Sequence, residues 1–201
     1  MPLLFELVQI VYWAALATWF GGVLFMAIGG RVIFSTVEEN KPYLTGVLSV
    51  NLEGQHGTLL AGTIVGNLMS YYIQVELLCA GGLIVTTFMQ YFLVDLRDSS
   101  VLIDTILRSL LLMGATTALV YDWRVLWPKI WQFRQEFLDH ADEPEKANPA
   151  LDQFNRYQRS SGVVLQLSMF LLVTILVFSA QITPAHAPPP AATPAPAAGA
   201  K

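Results

Sequence analysis

Two stretches of the chain contain no Asp, Glu, Lys or Arg at all, one from Leu7 to Gly30 and one from Gly54 to Val75. A bilayer core about 30 Å thick is crossed by roughly 20 residues of helix rising about 1.5 Å each, so both stretches are long enough to span. In water such segments would need a polar covering, and the chain has little to offer. Charged residues are 13% of its 201 residues and mean hydropathy is +0.52, against roughly 25% charged in a soluble domain. These observations predict an all-α integral membrane protein with one helical domain over residues 1–183. The lipid bilayer is its expected partner. A net charge of -4 with scattered basic residues leaves no electrostatic footprint for nucleic acid. Cys79 is the only cysteine, so an intramolecular disulfide or a thiolate cluster is excluded.

The first span is expected at about 5–28, with Trp13, Trp19 and Phe20 inside it. Met1 to Glu6 lacks the basic residues that precede a cleaved secretory signal, and Arg31 follows the apolar run, so an uncleaved helix is expected. Glu38, Glu39, Asn40, Lys41, Pro42 and Glu53 mark a connecting loop. The next segment is small and moderately polar, with Gly57, Thr58, Gly62, Thr63, Gly66 and Asn67. It reads as a short membrane-associated helix over 56–70, packed on the bundle or lying at the interface, ahead of a bulkier full span at about 71–94.

The third span, about 103–127, has Asp104 and Arg108 one turn apart, placed to neutralise each other near a membrane surface. Arg108 can also run its stem along lipid with its head near water. Asp122, Trp123, Arg124 and Trp127 mark the opposite edge. Beyond Pro128, the spacing of Ile130, Phe133 and Phe137 beside Lys129, Arg134 and Glu136 predicts an amphipathic cytoplasmic helix over 129–140. An acidic loop follows, then Asn148-Pro149 as cap and first residue of a helix leading into a fourth span at about 161–182. Residues 184–201 are mostly Ala and Pro and are expected to form a disordered tail. The expected fold is a four-helix transmembrane bundle with one additional short membrane-associated helix and that tail.

With four spans, the loops after spans one and three share a side that holds Arg31, Lys41, Arg124, Lys129, Arg134, Lys146, Arg156 and Arg159, while the other side has Arg97, Arg108 and Lys201. The positive-inside bias places both termini outside the cytoplasm in a multi-pass inner-membrane protein.

Glu76 interrupts the long uncharged stretch. A carboxylate at the centre of a spanning helix costs on the order of 2.5–3.5 kcal/mol even on insertion scales. Two readings follow: a proton or cation site, or a structural acid near the cytoplasmic edge pairing with Arg124, Arg156 or Arg159. His56 is the one histidine near the membrane body and a candidate for a ligand or haem edge, with a capping or solvated histidine as the plainer reading. Gly21-Gly22, Gly62-x-x-x-Gly66 and Gly81-Gly82 permit close helix approach. No catalytic or metal-binding motif appears, so neither catalytic residues nor a cofactor are assigned.

Thr18-Trp19-Phe20-Gly21-Gly22 with Phe25, the helix from His56 to Met69 with Tyr71-Tyr72, Trp127-Pro128 with Arg134, and Phe154, Tyr157, Arg159 and Ser160 occur in that order. Together they resemble the transmembrane-protein-205-like family, known in bacteria as a domain of unknown function. The resemblance implies a four-span membrane protein, whose eukaryotic members are linked loosely to drug and metal-compound resistance. The first span also looks like that of HemJ-type protoporphyrinogen oxidases and copper-resistance-D-type proteins. In the HemJ pattern a haem-ligating histidine lies about two turns before the Trp-Phe-Gly element; this chain has Tyr12 there, which argues against haem. The expected function is non-enzymatic: an interaction or accessory subunit of a membrane complex, or a homo-oligomer. A transporter or export factor for a small cation, metal compound or drug is the alternative, and a haem-linked oxidoreductase the third reading.

Overall fold

The computed structural model describes residues 2–40, 56–93, 99–140 and 143–180. They form α1 (Pro2–Asn40), α2 (His56–Leu93), α3 (Ser99–Tyr121), α4 (Trp127–Asp139) and α5 (Pro144–Ser179), with a π-helical segment, Asp122–Leu126, joining α3 to α4 in one rod. Four helices are long and apolar enough to cross a membrane. The protein is an all-α, multi-pass four-helix bundle.

Three boundaries differ from the sequence expectation. α1 runs past residue 28 to Asn40, because Arg31, Glu38 and Glu39 are no obstacle to a helix and no proline intervenes before Pro42. The expected separate helix over 56–70 does not exist as such: residues 56–93 are one continuous helix. The glycines of its first half, Gly57, Gly62 and Gly66, are spaced singly with no proline, each costing only about 1 kcal/mol, which packing overrides. α5 begins at Pro144 rather than at Pro149, which lies inside the helix. Pro144 falls in the first turn, where the missing N–H had no helical partner to lose. Ahead of it, Lys146 lies 2.5 Å from Glu143, and that hydrogen bond holds the exposed Glu143 carboxyl below its ordinary value. Residues 94–98 and 141–142, the expected connecting loop within 41–55 and the expected Ala/Pro tail lie outside the described residues.

Buried residues recur at alternating steps of three and four: Tyr12, Leu16, Trp19, Val23 and Met26 on α1; Tyr72, Glu76, Cys79, Leu83, Thr86 and Gln90 on α2. Thr105, Arg108, Leu112, Ala115, Leu119, Asp122 and Leu126 continue the pattern on the rod, and Ser168, Leu172, Ile175 and Ser179 on α5. A mean repeat near 3.5 keeps one seam inward on every helix, the geometry of shallow left-handed bundle packing. The outward faces are apolar, with Leu78, Phe88, Phe92, Met113 and Phe170 all exposed. The bundle is therefore oily outside and partly polar inside, as a lipid solvent requires. α1 packs along α2 and the rod along α5, whereas α2 and the rod touch far less than either of these pairs.

One glycine is fixed by contact. A Cβ on Gly22 would stand 2.3 Å from the Tyr72 ring, closer than real side chains approach. Gly82 would meet only Ala15 at 3.7 Å and Gly66 only Trp131 and Arg134 beyond 3.5 Å, both ordinary contacts. Gly21, Gly62 and Gly81 have open space at that position, so they do not mediate packing within the chain.

Candidate functional site: two polar layers inside the bundle

The seam of the bundle carries polar side chains at two levels. At the first, α1 presents Trp19, whose indole Nε1 donates to Oε1 of Glu76 at 2.9 Å. One turn earlier on α2, Tyr72 donates its hydroxyl to the Trp19 carbonyl at 3.3 Å and stands beside the Glu76 carboxyl. Glu76 is only 4% exposed. The rod adds Asp122, also buried, close enough for its charge to act on Glu76. Ser161 stands beside Asp122, whose Oδ1 has no hydrogen-bond partner among the described residues.

The local backbone explains why Asp122 sits there. In an α-helix Pro128 would lack an N–H and crowd the carbonyl four residues before it. Here the Trp127 N–H reaches back five residues to the Asp122 carbonyl, a π-turn that widens the helix immediately ahead of Pro128. The helix thus passes the proline without ending, and Asp122 starts the widened turn on the buried face. This also explains why the helix expected at 129–140 is continuous with span three. Beside this layer lies a cavity of about 180 Å³ between α1, α2, the rod and α5, lined in part by Trp131, Arg134, Gln158 and Ser161. Arg134 donates to the Thr63 hydroxyl at its edge and lies over the Trp131 ring.

The second level is about four helical turns away, roughly 20 Å, measured from Glu76 to Gln90 on α2 and from Asp122 to Arg108 on the rod. Arg108 Nη2 donates to Gln90 Oε1 at 2.5 Å, and the guanidinium lies 5.1 Å from the centre of the Tyr12 ring. Tyr12 and Ser179 share a 2.6 Å hydrogen bond, tying α1 to the end of α5. Arg108 is 3% exposed. It hydrogen-bonds Gln90 and not Asp104, whose charge still acts on it from one turn away, and it points into the bundle rather than along lipid to water, against the second sequence expectation. The apolar outer surface gives an inward head better polar partners than an outward one.

The expected set of Glu76 with Arg124 and Arg159 is not assembled. Arg124 and Arg159 are exposed, as is Arg156, and Arg124 stacks over Trp123 at 4.3 Å. They belong to the outer rim, and the acid is satisfied by neutral aromatic donors instead. His56 is the first residue of α2; its side chain lies outside the described residues. Among the described residues no three His, Cys, Asp or Glu side chains gather as a metal site. Trp19, Tyr72, Gln90, Asp122 and Ser179 were not singled out from sequence as site residues. Their signal was polarity at the three-four spacing of a buried seam, as in Tyr72, Glu76, Cys79, Thr86 and Gln90.

No protein-family model matches the chain, and no characterised protein or solved structure matches it. The site must therefore be read from its chemistry. A carboxyl among neutral donors is tolerable in hydrocarbon when protonated, and when ionised it calls for a counter-charge. Two such acids stand at one level of the bundle.

Proposed function

We propose that this protein is a membrane carrier that exchanges protons for a small or lipophilic cation, with Glu76 as the coupling acid and Asp122 as its second carboxyl. The observation that carries this reading is a pair of buried acids with no basic partner among the described residues, next to a cavity. Intramembrane ionisable residues are rare and costly, and they mark ion and substrate pathways. The resemblance to the transmembrane-protein-205-like family, with its link to drug and metal-compound resistance, agrees with this reading. In this reading the Arg134 end faces the cytoplasm of an inner membrane with both termini outside, which the excess of Lys and Arg after spans one and three supports. The test is accumulation of tetraphenylphosphonium in proteoliposomes driven by an imposed pH gradient. Wild type is expected to accumulate it, and Glu76→Gln to abolish the pH-driven component. Equal accumulation in the two would end the assignment.

A second reading, an accessory subunit or homo-oligomer, draws on the open space at Gly21 and Gly81. Glycine on a lipid-facing helix surface permits a close approach by another helix. It predicts a dimer or a co-purifying partner by native mass measurement in mild detergent; an isolated monomer would count against it.

A further inference from the structure

A sparsely contacted seam of the bundle holds a second feature. Between α2 and the rod runs a groove of about 500 Å³, open sideways to the bilayer past the exposed Phe88 and Met113. It extends along the rod from Ser109 to Val120, about three turns or roughly 16 Å, close to half the thickness of a bilayer core. One leaflet's acyl chain has that depth to fill.

Most of the groove is apolar, but its polar groups are not idle. Thr87 is 5% exposed, lines the groove, and its hydroxyl has no hydrogen-bond partner; the Thr116 hydroxyl opposite is also unpartnered. At the end nearest the membrane edge, Tyr91 and Ser109 close the groove with a 2.9 Å hydrogen bond. Their neighbours in sequence, Gln90 and Arg108, form the basic layer directly inside. Arg108 Nε and Nη1 and Gln90 Nε2 are buried and without acceptors. Every one of these three unpartnered atoms is a donor, and among the described residues Asp104, one turn away, acts on the guanidinium through its charge without a hydrogen bond to it. The layer therefore presents unpartnered donors of a cationic side chain at the head of an acyl-sized groove.

We propose that this groove binds a membrane lipid with an anionic headgroup. The acyl chain lies between α2 and the rod, and the head is taken by Tyr91 and Ser109 with the Arg108–Gln90 pair behind them. The site is separate from the Glu76 layer and does not depend on the carrier reading.

The full-length protein is equilibrated in mild detergent with equal amounts of phosphatidylglycerol and phosphatidylcholine of matched chains, and retained lipid is counted by native mass spectrometry. Wild type should retain phosphatidylglycerol about tenfold over phosphatidylcholine, the discrimination expected of one charge-assisted hydrogen bond. Arg108→Gln should bring the two lipids to parity. Thr117→Phe, on the exposed groove wall, should fill the groove and lose both. Parity in wild type, or full retention in Thr117→Phe, would overturn the proposal. If added inorganic phosphate displaced the lipid as completely as competing lipid does, the site would be one for free anions and the lipid assignment would fall. Should Arg108→Gln not fold, the wild-type preference and its loss in Thr117→Phe decide the matter.

Discussion

The acidic and basic layers occupy the same seam of one bundle, yet they solve the burial of charge differently. Glu76 is held by the Trp19 indole and the Tyr72 hydroxyl, and it faces a second acid beside a cavity. Arg108 is held by the Gln90 amide and the face of Tyr12, a cation–π contact that the acid layer has no use for. The two charges do not rescue each other. At roughly 20 Å and an effective dielectric constant near 20, their attraction is only about 1 kcal/mol, less than the cost of burying either. Each layer therefore stands on its own neutral donors or acceptors, and each remains open to an outside counter-charge.

The strongest way to break the comparison is to destroy one layer and leave the other. Gly22→Val would drive its side chain into the Tyr72 ring, which shares its hydrogen bond with Trp19. Overpacking of this kind costs about 1–3 kcal/mol, and the short approach places Gly22→Val at the upper end. Gly21→Ala, into open space, should change stability by less than about 0.5 kcal/mol. Cys79, the single cysteine, is buried one turn from Glu76 and gives a direct reporter. Maleimide labelling should accelerate in Gly22→Val and stay slow in Gly21→Ala.

Next in size is the choice of replacement at Glu76. Glu76→Leu strands the Trp19 N–H and should cost about 1–3 kcal/mol in thermal or denaturant unfolding. Glu76→Gln keeps an acceptor for the indole and should cost less than about 1 kcal/mol. If the two variants were equally stable, the Trp19 bond would not be holding the layer. Asp122→Asn should go the other way. It removes a like charge facing Glu76 and a carboxylate oxygen that has no partner. A neutral result or a gain of up to about 1 kcal/mol is expected, and clear destabilisation would mean that the two acids share a bound cation or proton.

The sequence made the basic layer and the acid layer unequally legible, and the reason is the solvent. In a soluble helix a hydrophobic stripe marks the core, but in lipid both faces are apolar and the stripe vanishes. The spans were readable because uncharged length alone identifies them, and Glu76 was readable because a lone acid in such a run is conspicuous. Arg108 and Asp122 sit in flanks that also fit a membrane edge, so single residues suggested the rim where the three-four seam puts them inside. The continuity of 56–93 and of 99–139 was hidden because Gly-rich stretches and Pro128 usually end helices; only the π-turn at Asp122 shows how the chain passes the proline.

The smallest expected effect separates the two components that hold the basic layer. Tyr12→Phe keeps the ring under Arg108 and removes the hydroxyl, with its 2.6 Å hydrogen bond to Ser179 and its polar contact with the guanidinium. Side-chain hydrogen bonds within membrane bundles average about 0.6 kcal/mol, because the separated helices find other partners, so that loss is expected here. Tyr12→Leu removes ring and hydroxyl together. It should cost clearly more, since a desolvated cation over an aromatic face is worth about 2 kcal/mol. Unfolding of both variants in the same detergent measures the difference. A Tyr12→Leu variant no less stable than Tyr12→Phe would mean that the ring contributes nothing and that Gln90 alone holds the guanidinium. The contrast between aromatic donors at Glu76 and an aromatic face at Arg108 would then collapse into one between two hydrogen-bonded charges.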